Sequence, residues 1–228
     1  AAMTAASLDL PINPSLGFSH IVPYNVKGIK VAQFQIGYKG FVQLAIRSGQ
    51  YHKINALAVK QGELVKFDRL TEEIEISWIE DEEERDKAET IGYIAYFELM
   101  NGFKKTIYWT KKEMEIHAEK YSQAYKNDLK KNTYDSFWSK DFDSQGLKTV
   151  IKALISKWGI MSIEMQKAIE TDQAVIDENE NINYIDNPEE NQIEVIGDET
   201  ISNDEAMNIF KSAGDKKIVD EVLEETGY

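Results

Sequence analysis

An α+β fold, an antiparallel β-sheet with hairpins packed by helices, is predicted by three features of the sequence. Short alternating runs punctuated by turn dipeptides fill residues 18–109. The hydrophobic period then changes to helical after Thr110. Finally, the last fifty-odd residues turn acidic and Asn-rich, so the core ends before the chain does. A chain of 228 residues, 42% hydrophobic, is long enough for one sizeable core with a remainder.

The first nine residues are read as finishing a helix, and PINPSLG as a turn-rich connector. Residues 18–24 and 30–36 are predicted strands joined across Asn25–Gly28; Ala32, Phe34 and Ile36 alternate with Val31, Gln33 and Gln35. In GYKGFVQLAIRSGQY (37–51), Lys39, Gln43, Arg47 and Gln50 share an arc of about 80° on a helix. Phe41, Leu44 and Ala45 point away from that arc, and Ser48-Gly49 supplies a C-terminal stop. Such a stripe is either a solvated face or a surface that meets a polyanion.

YHKINALAVK (51–60) is a strand expected to turn through Gln61-Gly62 onto a short partner at 63–68, with IEISWI (74–79) next. DEEERDKAE (81–89) reads as a solvated loop or hairpin tip. IGYIAYFELM (91–100) and FKKTIYW (103–109) flank Asn101-Gly102, a hairpin signal in which both turn residues would take positive φ. Thr110 and Glu113 form a capping box for a helix to about Lys131, with Met114, Ala118, Tyr121, Tyr125 and Leu129 on one side. Residues 132–143 are an aromatic-rich loop. A helix over 144–158 presents Leu147, Val150, Ile151, Leu154, Ile155 and Trp158 to the core, with Lys148 and Lys152 opposite. Gly159 stops it, and Ser162 caps a third helix to about Thr171. The chain is thus expected to divide into a core (1–171), an acidic disordered linker (172–198) and a small helical C-terminal interaction domain (199–228).

The net charge of −14 argues against a nucleic-acid partner until its distribution is considered. Residues 1–66 and 101–160 each carry +5, whereas 67–100 carry −9 and 161–228 carry −15. Separate basic and acidic surfaces imply separate partners. The absence of Cys excludes disulfides and thiolate metal sites. No run of 18 apolar residues spans a membrane, and AAMTAASLDL is not expected to be a signal peptide. The chain opens in mid-pattern without Met, so an N-terminal truncation is expected.

No phosphate-binding GxxxxGK[ST] loop or GxSxG nucleophile elbow is present. His20, His52 and His117 lack metal-ligand spacing, and His117 is expected to form a surface ion pair with Glu113. The run Asp81–Glu84 could hold Mg²⁺ in a nuclease, but a consecutive acidic run suits a solvated loop better. What remains is a set of cations: Lys39, Arg47, Lys53, Lys104, Lys105, Lys111, Lys112, Lys148 and Lys152. Lys111 and Lys112 sit at a helix N-terminus, where the dipole disfavours cations, which points to an incoming anion. Gln43 completes the first stripe, and Tyr38, Tyr51, Trp109, Phe137 and Trp138 are interleaved as stacking candidates. Cations that track a backbone beside aromatic rings compose a single-strand groove; core packing is the competing role for each ring.

SLDLPINPSLGFSHIVPY, FQIGYKGFVQLAIRSGQY and KTVIKALISKWG resemble the RecT/Redβ family of phage-type single-strand annealing proteins, over residues 1–170 in the expected order. The tail resembles that family's small C-terminal domain. The resemblance implies an ATP-independent, non-catalytic, cofactor-free protein of the bacterial host cytoplasm. Such a protein coats single-stranded DNA, pairs it with its complement and holds the annealed duplex in the groove of a ring or helical filament. It also implies a partner exonuclease, and contact between the C-terminal domain and the host single-stranded-DNA-binding protein. By analogy residues 1–171 would be the DNA-binding core, in which Lys39, Arg47, Lys148 and Lys152 would contact phosphates. Ala153 and Gly146 depart from the pattern, where relatives often carry a basic and a larger residue. The family's N-terminal helical region is mostly absent, which implies weak assembly. The competing readings are a coating protein without annealing activity, a metal-dependent nuclease and a protein scaffold.

Overall fold

The computed structural model describes residues 1–26, 29–176 and 182–183. The elements follow in the order α1 (Ala2–Ser7), β1 (Ser19–Val26), β2 (Ile29–Ile36), α2 (Tyr38–Arg47), β3 (Tyr51–Lys60), β4 (Leu64–Phe67) and β5 (Ile74–Ile76). Next come α3 (Glu82–Lys87), β6 (Thr90–Leu99), β7 (Lys104–Thr110), α4 (Lys111–Tyr121), α5 (Gln123–Lys131) and α6 (Phe137–Lys140). The described chain ends with α7 (Phe142–Trp158), α8 (Ile163–Thr171), β8 (Val175–Ile176) and β9 (Ile182–Asn183). All strand pairs are antiparallel, so the fold is the α+β class the sequence predicts. The helical domain expected at 199–228, and the part of the expected linker beyond Asn183, lie outside the described residues.

The central sheet has the order β3-β6-β7, and α7 lies across it. Ala95 faces Ala56 on one side and Ile107 on the other. Tyr93 and Phe97 of β6, Phe41 and Leu44 of α2, Met114 of α4, and Ile151, Leu154 and Ile155 of α7 are fully buried between these layers. β1 and β2 form a separate hairpin in continuous register, from Ser19 opposite Ile36 to Val26 opposite Ile29. No described helix is long and apolar enough to cross a membrane.

The structure departs from the sequence expectations in several places. β3 pairs with β6 rather than with the short partner at 63–68, because ten-residue β6 covers its whole length. β4, only four residues long with Val65 and Lys66 exposed, pairs with β5 instead. The run at 81–89 is neither loop nor hairpin tip. Asp81 accepts from the Glu84 N–H and starts a short helix, whose Arg85 reaches back to Glu63. In the β6–β7 hairpin Gly102 has φ +85° and Asn101 is not in the left-handed region, so the loop is the three-residue form and not the two-residue one.

The helix from Thr110 breaks at Ser122, which leaves α4 with an extended φ and ψ and caps α5 by accepting from the Tyr125 N–H. The break turns the face of α5: Asp128 is buried and Leu129 is exposed, the reverse of the helical continuation. On α7, Trp158 is 41% exposed while Lys148 is 5% exposed. In β2, Gln33 and Gln35 are buried together with Phe34 and Ile36. Gln35 Nε2 donates to Gln33 Oε1, and Gln33 Nε2 reaches the Gln173 carbonyl, so the amides are satisfied inside.

Gly146 lies under the Tyr93 ring. A Cβ there would sit 2.6–2.8 Å from three ring carbons. The ring cannot withdraw, because Tyr93 is fully buried and its hydroxyl donates to Asp143 at 2.6 Å. Ala at a helix interior gains about 1 kcal/mol over Gly in propensity. Overpacking costs about 1–3 kcal/mol. Gly146→Ala is therefore expected to lower Tm in a thermal melt, against the propensity gain, and Gly146→Leu to lower it further.

Candidate nucleic-acid interface

Two clefts meet at α7. The first, of about 460 Å³, lies between the β1–β2 hairpin, the start of α2 and the start of α7; Tyr38, Lys39, His20, Gln35, Gln145 and Lys148 line it. α2 opens on Gly37 with no side-chain cap and no acid in its first turn. No side chain therefore compensates the positive end of its dipole, although the Gly37 N–H donates to the Phe18 carbonyl at 3.0 Å. By contrast α4, α5, α7 and α8 are capped by Thr110, Ser122, Asp141 and Ser162. Lys39 is exposed at this mouth, and its stem passes the backbone of Gly17. It forms no ion pair among the described residues. Burial, and after it the Lys148 charge, pushes the His20 imidazole below its ordinary value.

The second cleft, of about 290 Å³, lies on the other side of Lys148 and is lined by His117, Tyr121, Lys152, Thr149, Ser156 and Asp172. Here Lys148 Nζ donates to Asp172 Oδ1 at 2.8 Å and Lys152 Nζ to Oδ2 at 3.0 Å. Burial draws Lys148 below the usual lysine range, and Asp172 recovers only part of the loss. Burial alone would raise Asp172; Lys148 and Lys152 reverse this and hold it below the usual carboxylate range. Lys148 is thus interior rather than on a solvated stripe, and only Lys152 of the pair is partly exposed.

The remaining predicted cations are dispersed. Arg47 turns from the α2 stripe to the end of α1, donating to the Leu8 carbonyl at 2.6 Å and the Asp9 carbonyl at 3.1 Å, with Glu164 3.5 Å away. Gln43 stays half-buried on α2. Lys53 and Lys104 flank Glu98 across three strands, at 3.6 and 3.9 Å. Lys105 pairs with Glu72 and lies 3.7 Å from the centre of the Trp158 ring. Lys111 meets Glu89 at 3.0 Å, an internal answer to the dipole misfit; Lys112 is exposed and has no ion pair among the described residues. Among the aromatics, Tyr38 and Phe137 reach the first cleft with Lys39, and Phe137 is exposed. Trp109 packs on His117. Tyr51 is buried, donating to the Ile160 carbonyl, and Trp138 is buried against Tyr125 and Phe142. Neither of these last two presents a ring face to solvent. His20, Gln35 and Gln145 are cleft residues that the sequence did not mark as DNA contacts, since His20 and Gln145 lie in no charged stripe and Gln35 reads as one position of the alternating strand β2.

His117 does not pair with Glu113, which closes the capping box and faces Arg69. It packs between Trp109 and Tyr121, with centroids 5.3 and 4.6 Å away. Burial, then Lys152 and Lys120, pushes its pKa down to about 4. The unfolded chain takes up a proton near pH 6.5 and the folded chain only near pH 4, so stability falls as pH drops through that window. The loss is expected to reach roughly 3 kcal/mol. His117→Phe should flatten the change in Tm between pH 6.5 and 4, measured by melts at fixed ionic strength.

The RecT family model matches residues 1–187. The chain is 49% identical over 206 residues to the uncharacterized protein YqaK of Bacillus subtilis (strain 168), covering 90% of this chain and 64% of that protein. It is 28% identical over 177 residues to protein RecT of Escherichia coli (strain K12), covering 76% of this chain and 61% of that protein. It therefore spans a little under two thirds of the length of the curated relatives it matches. With the family model covering most of its length, and nearly half of the aligned residues identical to one relative, the chain belongs to the RecT family.

Proposed function

We propose that this chain binds single-stranded DNA along the first cleft and promotes its pairing with a complementary strand, without nucleotide hydrolysis and as an oligomer. The observation that carries this reading is Lys39: an exposed cation with no ion pair among the described residues, beside the start of α2 that no side chain caps, at the mouth of a cleft of about 460 Å³. Backbone amides and a lysine at a helix N-terminus favour phosphate oxygens. They read no base edge, which suits a protein that must accept any sequence. Tyr38 and Phe137 offer rings beside the same mouth. Lys112 and the partly exposed Lys152 extend the basic character to α4 and α7. A partner exonuclease, and contact with the host single-stranded-DNA-binding protein, belong to the same proposal.

Binding of a labelled oligothymidylate, followed by fluorescence anisotropy, tests it. Affinity should fall with salt at a log–log slope of roughly −0.7 per phosphate contact. Lys39→Glu should weaken binding by about tenfold or more at low salt and flatten the slope by about one contact, with Tm unchanged. Equal binding by Lys39→Glu and wild type would remove the cleft from the account. No binding by wild type at low salt would leave the interaction-scaffold reading.

A further inference from the structure

The Lys148–Lys152 pair is already occupied by an anion, and the anion belongs to the chain itself. Asp172 follows the last residue of α8 and is 1% exposed. Its Oδ1 accepts from the Ile36 N–H at 2.9 Å and from Lys148 Nζ at 2.8 Å, and its Oδ2 accepts from Lys152 Nζ at 3.0 Å. Two ammonium groups and a backbone amide converge on two oxygens that share one negative charge. The two non-bridging oxygens of a phosphodiester carry the same charge and could take the same donors.

The segment that carries Asp172 packs against β2 through one strained residue. Gln173 has φ +67°, a left-handed conformation that a residue with a side chain adopts at a cost. Its N–H donates to the Phe34 carbonyl at 2.9 Å, and its own carbonyl accepts from Gln33 Nε2. Residues 172–176 thus run beside β2 as a strap, closing one side of the two lysines. Lys148 is a wall of both clefts, so what covers it separates them. One carboxylate for two cations also leaves an excess positive charge inside, which a DNA strand with successive phosphates would answer more fully than Asp172 does.

We propose that residues 172–176 are an autoinhibitory strap, with Asp172 standing in for a backbone phosphate until single-stranded DNA displaces it. The strap regulates the DNA site proposed above and rests on that reading. In the closed state Lys148 is covered and Lys152 is only partly exposed in the second cleft. Displacement exposes Lys148 and Lys152 and adds up to two phosphate contacts on the far side of α7.

The test compares wild type, Asp172→Asn and Gln173→Gly in oligothymidylate binding across a salt series, with a thermal melt of each. Asp172→Asn removes the internal charge, so affinity should rise about tenfold and the log–log slope should steepen by about 1.4. Gln173→Gly relieves the left-handed strain and favours the closed strap, so Tm should rise and affinity should fall about threefold. If Asp172 only braces the fold, Asp172→Asn lowers Tm without raising affinity, and Gln173→Gly raises Tm without lowering affinity; either result overturns the strap. Should Asp172→Asn not fold, Gln173→Gly decides, together with amide hydrogen exchange of wild type. Adding oligothymidylate should speed exchange at Ile36 and Gln173, and slowing at both overturns the proposal. Wild type that binds while the strap variants do nothing refutes the strap alone. Wild type that does not bind refutes the DNA reading beneath it.

Discussion

Replacing Arg85 by Met is expected to cost about 3–5 kcal/mol of folding stability, because it strands a charge. Glu63 is wholly inaccessible to solvent, and Arg85 Nε donates to its Oε1 at 2.7 Å. The same carboxylate accepts the Lys60 N–H at 2.7 Å, and Arg85 also donates to the Ala58 carbonyl at 3.0 Å. Arg85 therefore ties α3 to the end of β3 and the turn before β4, and its guanidinium lies over Trp78, 5.8 Å from the ring centre. Burial alone would raise the Glu63 carboxyl; Arg85 and backbone donors overcome that and hold it below its ordinary value. In Arg85→Met the burial effect is left unopposed by a cation. The stability deficit should then narrow as pH falls toward and through the ordinary carboxylate value, since the buried Glu63 of the variant takes up its proton above that value. A melt at pH 7 should show Tm lower by roughly 10 °C or more. Glu63→Gln with Arg85→Met should recover part of the loss, since no charge remains to be buried. A single variant with wild-type Tm would show that the pair holds nothing.

Asp128→Ala is the second large effect expected. This one carboxylate accepts from Thr133 Oγ1 at 2.7 Å, the Ser136 N–H at 2.8 Å, Ser139 Oγ at 2.6 Å and the Asp135 N–H at 3.2 Å. It organises the entire connection between α5 and α6 while itself only 3% exposed. Those donors, against the cost of its burial, hold it well below the usual carboxylate range. Ala leaves the buried Ser136 N–H and three less buried donors without this acceptor, at a cost of about 3 kcal/mol in all. Tm should fall by roughly 6–12 °C, and limited proteolysis should gain cuts within residues 132–141. Asp128→Asn keeps one acceptor oxygen and should lose about half as much. Protease resistance unchanged in Asp128→Ala would contradict this role.

These two clusters show where the sequence was readable. Local signals translated directly: the Thr110–Glu113 capping box, the Ser162 cap and the Asn101-Gly102 hairpin position are all properties of neighbouring residues. The pairing of β3 with β6 is not, because it depends on which of two later strands covers ten residues better. Leu129 is expected on the apolar face of one continuous helix and nothing in that period marks Asp128, but Ser122 breaks the helix and rotates the register. The site was legible to the same degree. Lys39 and Tyr38 share a cleft, as their place at the start of α2 suggested. Arg47, on the same stripe as Lys39, is drawn instead to the carbonyls of Leu8 and Asp9, far earlier in the chain. Lys148 faces inward because its partner stands 24 residues later, at a position no helical period marks.

Strand pairing is the central claim, and it is tested most directly by adding a second oligonucleotide to the protein already bound to a labelled first. The second strand is complementary in one sample and scrambled in the other, and anisotropy is read as salt is raised. A large, salt-resistant rise with the complement alone is the predicted result, since only an annealed product held by the protein produces it. Equal signals from both strands would contradict annealing and reduce the protein to a coat on single-stranded DNA.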